Sequence, residues 1–261
     1  NLPFFRWVVY PFSIFSTYIH EVCHGMAAVL MGGKISKLLI FSDTSGLAYT
    51  SIRNSNKYKR AFVSSAGYQG TAIIGFILLL FRRTKLGPRL NTTILSCWMV
   101  LSVIFWIRNV FGILMILAMG IGLGVAAWML PSAHLRNLYV TIAVTTSLNA
   151  ITHVTNLFGG NYQVGGKEST STDAHTMEDL FGISYILWAL LWLLLALLTT
   201  FLGFIWALPG LDEKDSDNPL YLPSCCTDYC CRPMSKLCNY QKQQRTSQRN
   251  TNNAAADDDN I

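Results

Sequence analysis

Residues 20–24 read His-Glu-Val-Cys-His. On a helix, His20 and His24 stand one turn apart, at i and i+4, and share a face. Imidazoles at that spacing reach one metal ion, and the glutamate after the first histidine reaches a water bound to it. A zinc ion (Zn2+) in this HExxH pattern brings the pKa of its water toward neutrality and polarises a carbonyl. Glu21 is then the general base and acid that moves the proton. The chemistry these residues point to is hydrolysis of a peptide bond.

The setting sharpens that reading. The chain is 51% hydrophobic and only 13% charged, with a mean hydropathy of +0.34. The apolar residues come in long runs, which excludes an ordinary soluble domain and implies an integral membrane protein with several spans. The net charge of +6 reflects Lys and Arg flanking those runs. No basic patch is interleaved with aromatics. The expected partners are the lipid bilayer and a membrane-protein substrate, with no nucleic acid. An ionisable side chain deep in a span costs about 2–3 kcal/mol or more. A lone buried histidine is ordinarily a hydrogen-bonded core residue, but three ionisable groups together need a compensating partner, and a metal ion is one.

About six spans are expected. The first covers residues 7–31, with Pro11 in its first turns and Gly32-Gly33 ending it. "KISKLLIFSDTSGLAYTSIR" then reads as two short strands around a turn that Gly46 permits, a β-hairpin at the membrane face. A second span covers 61–81 and is closed by "RRTKLGPR". Residues 94–130 are almost continuously apolar, broken at Arg108 and Asn109. One helix of that length would reach about 55 Å, well beyond a bilayer, so the run divides into spans at 92–107 and 110–130. A fifth span covers 138–158. A loop follows, then a sixth span at 182–208. The expected fold class is an all-α polytopic membrane protein with a small β-hairpin after the first helix. Residues 1–208 form the membrane domain, and 209–261 form a polar, cysteine-containing, largely disordered tail.

A catalytic zinc takes three protein ligands and keeps one position open. The histidine pair lies in the later half of the first span and approaches the face where that span exits. With six spans, the loop before the sixth opens on the same face, and the end of the fifth approaches it. Asp173, in "STDAHTMEDL", and His153 are therefore candidates for the third ligand, as are His175, Glu178 and Asp179. Were 94–130 a single span, Asp173 would fall on the opposite side. Asp173 also suits the start of a helix as its cap. Asn149, His153 and Asn156 fall at i, i+4 and i+7, a polar stripe that packs inside the bundle or lines a channel.

"HEVCHGMAAVLMGGKI", "SGLAYT" and "SSAGYQGTAIIG", with "WIRNVFG" and "STDAHTMEDLFGI" further on, resemble the site-2 protease class of intramembrane zinc metallopeptidases. Within it they resemble the B-like branch of peptidase family M-fifty, over roughly residues 15–208. The resemblance implies a zinc metalloendopeptidase that cuts in or near the membrane, as in regulated intramembrane proteolysis. It implies His20 and His24 as ligands, Glu21 as catalytic acid and base, and an aspartate as third ligand. Asp173 is the best match, with His153 the alternative. The Asn-Pro-Asp-Gly or Leu-Asp-Gly motif of well-studied members is absent, and "TDAH" stands in its place. Asn149 and Asn156 are the candidates for a substrate-orienting asparagine. The hairpin resembles the family's membrane-embedded strand segment, and a free strand edge can pair with an unwound substrate. Two rival readings are an inactive pseudoprotease that binds membrane proteins and a proton or ion transporter using His20, Glu21, His24 and His153 as a relay. Many transporters carry internal repeats, and none is found here.

In the tail, Cys225, Cys226, Cys230 and Cys231 stand beside Arg232 and suit reversible acylation on a cytosolic side. Their spacing, with no histidine nearby, does not suit a zinc module, and disulfides are the reading for a luminal tail. Six spans put both termini on one face. That face carries 12 Lys and Arg against 8 on the hairpin face, which favours cytosolic termini. The organelle is not encoded. The first residue is Asn1 and not Met, so the sequence says nothing about what precedes it.

Overall fold

The computed structural model describes residues 3–207, apart from 83, 85, 160, 161, 170 and 171. The four tail cysteines proposed for acylation lie outside the described residues. The long helices are α1 (Pro3–Leu30), α2 (Lys57–Phe81), α3 (Gly87–Phe105), α4 (Val110–Met129) and α5 (Ser132–Thr155), and, after the short α6 (Asp173–Phe181), α7 (Tyr185–Ala207).

The expected six spans correspond to these six long helices, of which α2, α3, α4 and α7 are long and apolar enough to cross a membrane. The helices α1 and α5 match them in length but not in apolarity. α1 carries the ionisable trio. α5 is rich in Ser and Thr, whose hydroxyls donate to carbonyls one turn earlier, as Thr146 does to Ile142 and Ser147 to Ala143. Large apolar side chains such as Ile104, Leu114, Trp128, Leu194 and Phe201 stand exposed, a surface that suits lipid and not water.

At the hub is α1. Its Ile14, Phe15, Tyr18, Ile19 and Val22 share a buried core with Met99, Tyr139 and the hairpin residues Leu38 and Ile40. Small residues bring the other helices close. Ser96 Oγ of α3 donates to the Gly120 carbonyl of α4 at 2.7 Å, and a methyl on Gly124 would lie 2.7 Å from the same hydroxyl. The long apolar run does divide, at residues 106–109, where Arg108 donates to the terminal carbonyls of α3 at Ile104 and Phe105.

Gly32, at φ +79°, ends α1. The chain then forms β1 (Lys34–Ile40) and β2 (Gly46–Ser51), an antiparallel pair with Leu38 opposite Ala48. Residues 106–109 clamp the other edge of β1. The Leu38 N–H donates to the Trp106 carbonyl, and the Arg108 N–H to the Leu38 carbonyl. The Asn109 side chain accepts from the Ile40 N–H and donates to the Ile40 carbonyl. Both edges of β1 are therefore used, and β2 keeps one edge without a strand partner among the described residues. The hairpin turn takes its left-handed residue at Thr44, φ 68°, so Gly46 is not what permits it.

The loop expected before the last span contains further structure. The strands β3 (Tyr162–Val164) and β4 (Lys167–Ser169) pair through a Gly165-Gly166 turn with φ of +60° and +74°. A two-residue Gly-Gly loop is itself a hairpin signal. Its tip docks on the first hairpin: the Gly165 N–H donates to Ser45 Oγ and the Gly166 N–H to Asp43 Oδ2, both at 2.9 Å. Burial would raise the Asp43 carboxyl, but hydrogen bonds from Ser45 and Gly166 hold it below its ordinary value.

Asn109→Ala removes both bonds to Ile40. It is expected to cost about 1–3 kcal/mol, read as a lower thermal unfolding temperature in detergent. An unchanged temperature would show that this clamp does not hold the hairpin.

Candidate metal centre and cleft

The base of a cleft of about 420 Å³ is formed by His20, Glu21 and His24 of α1, with Asp173 of α6. The three α1 residues are buried, at 6–8% exposure. His24 Nδ1 donates to the Val63 carbonyl of α2 at 2.7 Å, which leaves a lone pair on Nε2. That atom lies 3.1 Å from His20 Nε2 and 3.2 Å from Asp173 Oδ2. His20 Nε2 lies 3.6 Å from the same oxygen. His20 Nδ1 is buried with no hydrogen-bond partner among the described residues, so the polar contacts of this ring are on its Nε2 side.

Ligand bonds of 2.0–2.1 Å around a tetrahedral zinc set neighbouring ligand atoms about 3.3 Å apart. The three atoms form a triangle of that size, one ligand atom from each residue. Their lone pairs converge where only a cation or a shared proton relieves the repulsion. Gly67 of α2 keeps the spot clear: a Cβ there would lie 2.5 and 2.6 Å from His20 Cε1 and Nε2 and would press on His24 Nε2. Two imidazoles and a carboxylate with this spacing fit a bound zinc.

A second layer holds the triangle. Ser64 Oγ donates to Asp173 Oδ1 at 3.0 Å, which leaves Oδ2 for the histidines. Burial alone would raise the Asp173 carboxyl, but His24 and His20, when protonated, hold it below the usual carboxylate range, so the carboxylate favours a positive charge at this spot. Tyr68 meets the His20 ring edge-on at 4.6 Å and stacks on Trp192 at 4.9 Å. Sequence reasoning assigned no site role to Ser64, Gly67 or Tyr68. The signal was their i, i+3, i+4 spacing in "SSAGYQG", which puts all three on one helix face.

Glu21 lies against β2. A Cβ on Gly46 would stand 2.6 Å from Glu21 Cγ and 2.8 Å from Oε1, and Ala48 lines the same cleft. Gly46 thus serves a close approach. The turn next to it is tied to α1 by Thr17 Oγ1, which donates to the Thr44 carbonyl at 2.6 Å. Gly46, Leu47, Ala48 and Thr50 line the cleft, and Val164 at the end of β3 lines it too.

The other sequence candidates stand apart from the triangle. His153 stacks on His20 with ring centroids 5.9 Å apart and is not one of the three converging residues. His175 pairs with Thr172 and stacks on Tyr185 at 4.3 Å. Thr172 is the cap of α6, and Asp173 falls in its first turn, free of that role. Glu178 and Asp179 do not line the cleft. Asn149 Nδ2 donates to the Phe12 carbonyl at 3.3 Å, two turns before His20. Asn156 is exposed at the end of α5.

Gly67→Ala is expected to lower bound zinc at least about tenfold and Ser64→Ala to weaken it about 10–100-fold, with helix content unchanged by circular dichroism. Metal titration of the purified variants checks this. Wild-type zinc affinity in Gly67→Ala would place the metal elsewhere.

The family model described as peptidase M50B-like matches residues 4–203. No curated protein and no solved structure matched the chain. The match spans the metal triangle, both hairpins and all four apolar helices except the last few residues of α7. The chain is an integral membrane protein and belongs to the peptidase M50B-like family.

Proposed function

We propose that this protein is a zinc-dependent intramembrane endopeptidase acting on a membrane-protein substrate. In this reading all six long helices cross the bilayer and both termini are cytosolic. The observation that carries the reading is the triangle of His20 Nε2, His24 Nε2 and Asp173 Oδ2, beside Glu21 and an unpartnered strand edge.

Bound zinc supplies a Lewis acid and a water of lowered pKa. His20, His24 and Asp173 would hold the metal. Glu21 takes a proton from the attacking water on its carboxylate and returns it to the leaving amine. The close approach of Gly46 sets where that carboxylate stands. Peptide bonds inside a helix are hydrogen-bonded and shielded, so a substrate helix must unwind first. The free edge of β2 replaces lost helical bonds with strand-ladder bonds and presents an extended backbone to the site.

Purified in detergent, the wild type is expected to carry about one zinc per chain, lost in His20→Ala and Asp173→Ala and kept in Glu21→Gln and His153→Ala. Glu21→Gln is expected to cut about 10²–10⁴-fold more slowly, measured as membrane-protein fragments formed in wild-type membranes and missing with the variant. Zinc without Glu21-dependent fragments would make the chain a pseudoprotease. Absence of zinc from folded wild-type protein would sink the metal reading and favour the relay.

A further inference from the structure

We infer that Arg60 forms an anion subsite in the cleft, selecting substrates that carry Asp or Glu about three residues from the scissile bond. The inference rests on the peptidase reading above.

Arg60 lines the same cleft as His20, Glu21 and His24. It stands one turn before Ser64 on α2 and shares its face. It is the only Lys or Arg among the described residues lining the cleft; the other charged groups among them, Glu21 and Asp173, are at the metal end. Two arginines elsewhere close helix ends: Arg89 donates to the Leu130 carbonyl and Arg108 to the end of α3. Arg60 lines the cleft instead. It is exposed, and no carboxylate lies within ion-pair distance of it among the described residues. Of the neighbouring cations, Lys59 Nζ donates to the Arg53 carbonyl and Lys57 lies over the Tyr58 and Phe181 rings, while Arg53 is exposed and does not line the cleft.

The spacing sets the register. Arg60 precedes Gly67, the residue against the metal triangle, by seven positions, about 10 Å along the helix axis. A peptide extended along β2 covers that distance in about three residues. Ile52 and Ser55 line the stretch between β2 and Arg60. At the metal end a bound zinc would offset the Glu21 and Asp173 charges, whereas at the other end the guanidinium attracts an acidic side chain, so charge helps choose which peptide bond reaches the metal. Arg60 lies in the first turn of α2, which keeps a substrate carboxylate near the aqueous boundary and out of hydrocarbon.

The test is terminal-peptide proteomics of membranes expressing wild type, Glu21→Gln, Arg60→Lys or Arg60→Glu, with zinc content measured on each purified variant. Sites that depend on Glu21 are expected to be enriched in Asp or Glu about three residues from the cut. Arg60→Glu is expected to slow those sites about tenfold while retaining zinc and sparing neutral sites, and Arg60→Lys to keep most of the rate. Changing the acid of one cleaved substrate to Lys is expected to restore its cleavage by Arg60→Glu. Glu21-dependent cleavage with no acidic enrichment and no effect of Arg60→Glu overturns the subsite. Equal loss at acidic and neutral sites that tracks the phosphatidylglycerol content of reconstituted vesicles assigns Arg60 to a lipid headgroup and overturns it too. No Glu21-dependent site at all overturns the peptidase reading, and this inference with it.

Discussion

His20 Nε2, His24 Nε2 and Asp173 Oδ2 stand 3.1–3.6 Å apart at the base of a cleft in a largely apolar bundle. Bare lone pairs so close repel one another, and burial of the two histidines weakens the screening between them. The surrounding arrangement answers that constraint. The helical repeat brings two imidazoles to one face. The Val63 carbonyl holds the proton of His24 on the far nitrogen. Ser64 takes one carboxylate oxygen and leaves the other. Gly67 removes the side chain that would fill the gap. Each of these is a choice about where a positive charge fits.

The second constraint concerns backbone polarity. An open strand edge is costly in hydrocarbon and is tolerated only where it lines a cavity. Here β1 is satisfied on both sides, by β2 and by residues 106–109. Among the described residues the edge without a strand partner belongs to β2, which lines the cleft. Glu21 and β2 touch through Gly46, and Thr17 binds the Thr44 carbonyl one turn earlier on α1. Strand edge and carboxylate are thus held by the same two turns of helix. Under the proposed reading, substrate binding and proton transfer share one rigid support.

Helix packing explains why so polar a site survives inside the bundle. Apolar side chains face outward on α3, α4 and α7, while hydroxyls and glycines meet inside. The Ser and Thr of α5 spend their donors on their own helix, so they ask nothing of neighbours. The second hairpin, latched to Asp43 and Ser45, brings Val164 to the cleft.

Local patterns in the sequence determined a great deal. Apolar runs marked the four helices that are long and apolar enough to cross a membrane, because burial in lipid demands length and composition that a single segment reveals. The i and i+4 histidines and the adjacent glutamate were legible for the same reason, since one helix turn defines their geometry. The first hairpin followed from its own turn residues. The tertiary structure decided what depends on separate segments meeting. It chose Asp173 over His153 for the triangle, because α6 swings its first turn over α1 while the end of α5 only stacks on His20. It gave Thr172 the cap that Asp173 was suited to. It turned Gly46 from a hinge into a contact with Glu21, and recruited Ser64, Gly67 and Tyr68 from α2. Distances of 3 Å between residues more than a hundred positions apart arise from the packing of whole helices, and no local pattern encodes them.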